Sequence, residues 1–356
     1  MPQQQLFIAL VALRLVAPAF EAWSAVPPKH TAAPVDFSTL DRTTITLGPK
    51  SGQLILELPA VDVPAGTVVE PLASVGEFPV NGSIYAFHAE VLDHHGRRLP
   101  MELLHHMNVM EPNERELFLP ISRRVLASGK ETGEIRFPWL LFGARVRAGE
   151  QVLANVMIHN STAEDYHGVR VRLVLDYVPE RRPWPLFAVL PWQLDVGFPV
   201  GDKSFDLPPG RSERSYEGSP AVAGKIVVVG AHMHEYGRAI ELWDATTNTL
   251  LWHGEPGPAA PGEMAAVPPT KFWGISGIGL PITPEHRYRV RVIYENPTAQ
   301  TIPAGGMGVM GGLFMPDRKA VWPATNPGDS LYQQDLRHFM RTGKATTAPM
   351  SHMHMH

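Results

Sequence analysis

The sequence predicts an all-β protein assembled from antiparallel β-sandwiches, and three observations carry that expectation. Segments such as "YAFHAEVL" (85–92), "VRVRLVLDYV" (169–178), "KIVVVGAHMHEYG" (225–237) and "YRVRVIY" (288–294) alternate or run apolar and are rich in β-branched residues. Gly and Pro, 31 and 35 in number, punctuate these runs as turn signals. Helical periodicity is scarce; "GDSLYQQDLRHFMRTG" (328–343) is the best helix candidate. Short strands with frequent turns are the pattern of a sandwich.

Along the chain, residues 6–20, "LFIALVALRLVAPAF", form an apolar run too short to span a bilayer comfortably and broken by Arg14. Small residues follow in "AWSAVPP", so residues 1–25 read as a secretory signal cleaved near Ala25. The leading "MPQQQ" lacks the usual Lys or Arg, and an uncleaved N-terminal anchor is the alternative. No other segment is long and apolar enough to span a membrane, and the expected location is secreted or periplasmic. A Pro- and Trp-rich stretch, "PERRPWPLFAVLPWQ" (179–193), divides the remainder, giving an expected first sandwich over 35–185 and a second over 186–320. Each half closes on a similar strand, "VRVRLVLDYV" and "YRVRVIYENP", a likeness too short to establish a repeat. After Pro316 the composition turns polar, and 321–356 reads as a polar, disordered tail ending in "SHMHMH".

Composition narrows the chemistry. A chain of 356 residues, 44% hydrophobic, buries about three quarters of its unfolded surface and needs no covalent staple. The formal net charge of −4 argues against nucleic acid or an anionic membrane surface as the main partner. There is no cysteine, which removes disulfides and every metal site that needs thiolate. Any metal must be held by His, Met or carboxylate, and the chain has 16 His and 14 Met.

Four stretches offer such ligands. In "LLHHMNVM" (103–110), a regular strand would send the adjacent His105 and His106 to opposite faces. They can share a metal if the strand ends or bulges there. In "GAHMHEYGRAIELWD" (230–244), His232 and His234 lie two apart and share a strand face, either as ligands or as two satisfied histidines on an edge strand. A cupin site fits poorly, since Glu235 is adjacent, Glu241 is seven residues on, and a second motif is missing. His159 ends an apolar strand before the turn signal "NST"; alone, it reads as a hydrogen-bonded strand-end histidine. Met307, Met310 and Met315 lie in the Gly-rich run "YENPTAQTIPAGGMGVMGGLFMPD" (294–317), where each by itself suits a core-filling role.

Taken in order, these features resemble the copper type II, ascorbate-dependent monooxygenases, the family of peptidylglycine α-hydroxylating monooxygenase and dopamine β-monooxygenase. The resemblance covers roughly residues 40 to 317 and rests on "HHM" (105–107), a later strand-end histidine, "HMHEYGR" (232–238) and "YENP…GGMG". It implies two antiparallel β-sandwich domains of the peptidylglycine monooxygenase type, each holding one copper across a solvent-filled cleft. It implies that His105, His106 and His159 bind the electron-supplying copper. His232, His234 and Met307 would bind the copper at which dioxygen is activated. The reaction implied is hydroxylation of a C–H bond of a small organic or peptide substrate, with dioxygen and a reductant such as ascorbate. Imidazole suits both copper states, while a thioether favours Cu(I). The chain departs from the family in lacking disulfides. Met307 sits in "GGMGV" where the family places an acidic residue and a Cys, which keeps Met310 as an alternative ligand. Counterparts of the residues that read a peptide carboxylate or a catecholamine are missing. A periplasmic or extracellular copper-binding or carrier protein without turnover is the alternative function; a structural sandwich with incidental histidines is the third.

Overall fold

The computed structural model describes residues 36–70, 73–130, 132–180, 185–197, 203–257, 265–274 and 277–340. The expected signal over 1–25 and the "SHMHMH" end lie outside the described residues. The chain is all-β, and its strands group into two sandwiches.

The first sandwich is built by β1 (Gln53–Glu57), β2 (Ser74–Glu77), β3 (Gly82–Leu92), β4 (Leu104–Arg115), β5 (Ser122–Gly129), β6 (Phe142–Val146), β7 (Gln151–Asn160) and β8 (Tyr166–Pro179). One of its sheets runs β1-β8-β3-β6 and the other β2-β7-β4-β5, with shorter strands added at the edges. The second sandwich is built by β9 (Phe187–Asp195), β10 (Gly210–Gly218), β11 (Gly224–Met233), β12 (Gly237–Asp244), β13 (Thr249–Gly254), β14 (Ala265–Lys271), β15 (Tyr288–Asn296) and β16 (Gly308–Pro316). Its sheets run β9-β16-β11-β14 and β10-β15-β12-β13. Each strand thus has its counterpart eight strands later, and the order in both halves is that of an eight-stranded jelly roll.

The sequence likeness between the halves sits in a turn. Asn160 ends β7: its Nδ2 donates to the carbonyls of Val63 and Glu164, and its Oδ1 accepts from the N–H and hydroxyl of Thr162. Asn296 ends the equivalent β15 in the same way, donating to Leu207 and Gln300 and accepting twice from Thr298. Asn suits both places because its side chain imitates a backbone turn. The turn sequences "NSTAE" and "NPTAQ" match, whereas the look-alike "VRVRLVLDYV" and "YRVRVIYENP" fall on β8 and β15, which are not equivalent.

Alternation explains the packing. Leu104, Met107 and Val109 of β4 meet Val156 and Ile158 of β7 and Leu173 and Leu175 of β8 in the first core. Leu194, Val229, Met233, Val290, Val292, Met310 and Phe314 fill the second. The halves are joined covalently and by pairing. β6 lies parallel to β9, with Phe142 opposite Phe187 and Ala144 opposite Val189, making one continuous 12-stranded sheet. The tip of the β4–β5 hairpin, Leu117 to Ile121, leaves its own sandwich and enters the second core. Beneath it the buried Glu116 carboxylate accepts N–H groups from Leu117, Arg124 and Gln193, so one anion gathers backbone from both halves.

The stretch after Pro316 corrects the expectation of a solvated tail as far as Phe339. Helix α1 (Ser330–Phe339) is capped by Asp329, whose carboxylate accepts the Leu331 and Tyr332 N–H groups. Tyr332, Leu336 and Phe339, spaced along one helical face, pack on Phe37, Val75, Met110 and Leu153 of the first half. Tyr332 donates to the Pro112 carbonyl at 3.1 Å, and Asp335 pairs with Arg124. Average polarity conceals this face because the outward positions carry the polar residues. Among the described residues, no helix is long and apolar enough to cross a membrane.

Candidate metal centre

The first histidine pair sits on a bulge. Met157 of β7 lies opposite His106, but Ile158 lies opposite Leu104, so His105 is the extra residue on β4. The bulge re-aims a side chain that regular alternation would have buried. Leu104 and Met107 face the core, and both His105 and His106 lie partly exposed on the outward side of the sheet. Their ring centroids are 5.1 Å apart at 50°. With metal–nitrogen bonds of about 2.0 Å and a tetrahedral ion, two imidazole centroids would stand roughly 5 Å apart, so the pair has the spacing of shared ligands. His159 belongs to the same outward face, with Ile158 and Asn160 turned inward beside it. Its Nε2 is buried.

The second set gathers where β11 ends and β16 begins. His232 lies opposite Val309, and Ala231 opposite Met310. Met233 and Met310 are both core residues, so Met310 turns away from the face that carries His232. Met307 precedes Val309 by two and falls on the His232 side. A Cβ at Gly306 would run into the Phe205 ring, and one at Gly308 into Val292. The glycines around Met307 are therefore required by close packing of the entering strand.

Tyr294 of β15 ties this set together, and sequence reading missed it. Its phenolic oxygen accepts the N–H of His234 at 3.0 Å and the N–H of Met307 at 3.0 Å. It donates its own hydrogen to the Met307 carbonyl. The ring is buried against the edge of Phe205 at 5.8 Å, and burial pushes the phenol up to about 12, so it remains a donor at any ordinary pH. The turn after His234 closes with Gly237 donating to the His234 carbonyl at 3.2 Å. Tyr236 within it has φ 69°, a left-handed conformation that a large side chain adopts at a cost of about 1 kcal/mol or more. Its carbonyl accepts the Glu295 N–H, so β15 clamps that turn from both Tyr294 and Glu295.

Electrostatics link the two sets. Burial first, then His105, then His232 lower His106 to about 4. Burial, His234 and Lys203 lower His232 to about 4. Lys203 itself pairs with the buried Asp195. Both imidazoles are therefore neutral, the form that binds metal. The effect of His232 on His106 means that histidines from the two sandwiches lie within electrostatic reach of each other.

The structure brings the rings of His105 and His106 together, and brings the backbones of His234 and Met307 onto one hydroxyl. Among the described residues, no three side chains drawn from His, Asp and Glu are gathered closely enough to hold a metal together, so His159 shares a face with its pair without closing a three-residue group. The available donors are imidazoles and a thioether, a set that fits copper in both oxidation states. Other histidines have carboxylate neighbours: His286 with Asp244 at 2.6 Å, His253 with Glu241 and Glu255, and His167 with Asp62.

No family model matches the chain, and no curated protein does. Among solved structures, the chain is similar to the major capsid protein P2 of bacteriophage PM2, with TM-score 0.36 and 11% identity over 78% of this chain and 99% of that one. It is similar to the N-glycanase F, PNGase F, with TM-score 0.39 and 10% identity over 78% of this chain and 100% of that one. The VP2 subviral particle of infectious bursal disease virus gives TM-score 0.26 and 9% identity over 82% of this chain and 77% of that one.

Proposed function

We propose that the protein is an exported, dicopper monooxygenase-like protein. It hydroxylates a C–H bond of a small organic or peptide substrate with dioxygen and an external reductant such as ascorbate. His105, His106 and His159 hold the copper that supplies an electron, and His232, His234 and Met307 hold the copper at which dioxygen is used. The reading rests on one observation above others: the bulge at His105 sets two imidazole rings 5.1 Å apart on the same side of β4.

Copper bound at these residues supplies one-electron redox chemistry and a place for dioxygen. The chain's own part is preparation. Burial keeps His106 and His232 deprotonated, so metal binding there releases no proton. Tyr294 fixes the backbone of His234 and Met307 through one oxygen atom, and the Met307 thioether favours the reduced ion.

The test is metal content and oxygen consumption of protein reconstituted with copper, using a chain that ends before Ser351 so that the terminal His and Met residues do not contribute. Two coppers per chain, with ascorbate-dependent oxygen uptake, support the proposal. Stoichiometric zinc with no copper uptake sinks it, and a single copper without turnover moves the function to a carrier.

A further inference from the structure

Met157 occupies a position that core packing does not explain. Its neighbours on β7, Val156 and Ile158, are 4% and 1% exposed, and the nearby Met107 and Met110 are fully buried in the usual role of thioether filler. Met157 instead lies on the outward face with Asn155 and His159. In the ladder it stands directly opposite His106, at the step where the bulge admits His105. Cross-strand neighbours have Cβ atoms about 5 Å apart, and residues two apart on a strand share a face. Met157 therefore adjoins His106 across the ladder and His159 along it, and its three rotatable bonds let the sulfur reach toward either.

We propose that Met157 supplies a thioether to the first copper, alongside the imidazoles of His105, His106 and His159. The inference rests on the copper reading of that site and adds a ligand to it. Among the described residues His159 is not gathered with the adjacent pair into a three-residue group, and Met157 adjoins His106 across the ladder and His159 along the strand. A soft sulfur donor biases the bound ion toward Cu(I). Both coppers are then sulfur-ligated, and the electron-supplying site resists oxidation between turnovers.

The experiment uses the chain ending before Ser351, copper-loaded and reduced, with Met307→Leu as background, so that neither the terminal methionines nor the other site contributes sulfur. X-ray absorption of Met307→Leu should retain a copper–sulfur scatterer, and adding Met157→Leu should remove it without lowering the copper count. Leu matches Met in volume, and an unchanged melting transition shows that the fold is kept. In the otherwise unaltered chain, Met157→Leu should weaken Cu(I) binding at one site in competition with a chromophoric Cu(I) chelator. Loss of a direct ligand costs at least what loss of an outer partner does, about 10–100-fold. Cu(II) binding should change far less. Two bound coppers with no sulfur signal in Met307→Leu overturn the Met157 assignment and leave the dicopper reading standing. A sulfur signal that survives in the double variant assigns the scatterer elsewhere and overturns it too. No copper uptake by the unaltered chain removes both.

Discussion

Tyr294 holds His234 and Met307 on a single oxygen atom, although 60 and 13 residues of sequence separate it from them. The relationship places a backbone turn from β11 and the start of β16 at one fixed point beside His234 and Met307. Because the phenol both accepts and donates there, no apolar residue reproduces the arrangement.

Tyr294→Phe keeps the ring against Phe205 and deletes the oxygen. The His234 and Met307 N–H groups and the Met307 carbonyl then lose a buried partner, at a cost of roughly 1–3 kcal/mol in stability. The variant should melt lower and bind the second copper more weakly while the first stays loaded, read by thermal unfolding and copper stoichiometry. An unaltered melting transition with full copper occupancy contradicts the anchoring role.

His105→Ala should remove one copper and leave the other, because the two ligand sets belong to different sandwiches. Oxygen uptake with ascorbate should collapse while half the metal remains. If this one substitution empties both sites, the division of ligands is wrong.

Met307 and Met310 should separate cleanly. Met310 is fully buried in the second core, so Met310→Ala should cost about 2–5 kcal/mol while the copper count survives in the folded fraction. Met307, partly exposed on the His232 face, should show the reverse: near-normal denaturant stability and weakened Cu(I) binding at one site. The opposite assignment of the two phenotypes moves the thioether to Met310.

Glu111 sets a pH dependence. Burial raises its carboxyl from 4.5 to about 8, with Arg123 opposing at 3.0 Å. The folded state therefore holds a proton that the unfolded chain releases, and this contribution to stability is complete below pH 4.5 and is lost as pH rises toward 8. Glu111→Gln retains a hydrogen-bonding partner for Arg123 and removes Glu111's share of a titration that also involves the nearby Glu150 carboxyl, which burial raises as well. Its stability should decline less than the parent's between pH 5 and 8 in urea unfolding; equal declines would falsify the assignment.

Much of this was legible in the sequence, for identifiable reasons. The strands announce themselves by alternation; residues 328–343 stand out as a helix candidate, but the polar average after Pro316 hides the packed face of Tyr332, Leu336 and Phe339. The adjacent His105 and His106 pointed to a strand irregularity, and the bulge lies there. Tyr294 was not legible, because a tyrosine in an apolar strand gives no sign of which backbone groups its hydroxyl will meet. Which of Met307 and Met310 shares a face with His232 depends on the register of β11 on β16, and the Gly-rich run leaves that register open in the sequence. The doubling of the jelly roll was hidden because the halves share strand order while their sequences agree in one asparagine turn. Met157 is not legible in the sequence, because a methionine in a strand reads as core until its face is known.

The parallel pairing of β6 with β9 has a mechanical consequence. Two lobes on a loose tether would drift and rock, and the gap between them would be set afresh with each encounter. Here the backbone ladder crosses the junction, so Phe142 and Phe187 cannot part without breaking hydrogen bonds of the sheet. The separation of the two histidine groups is thus inherited from folding, like marks on a ruler. That span exists before anything binds and does not have to be created.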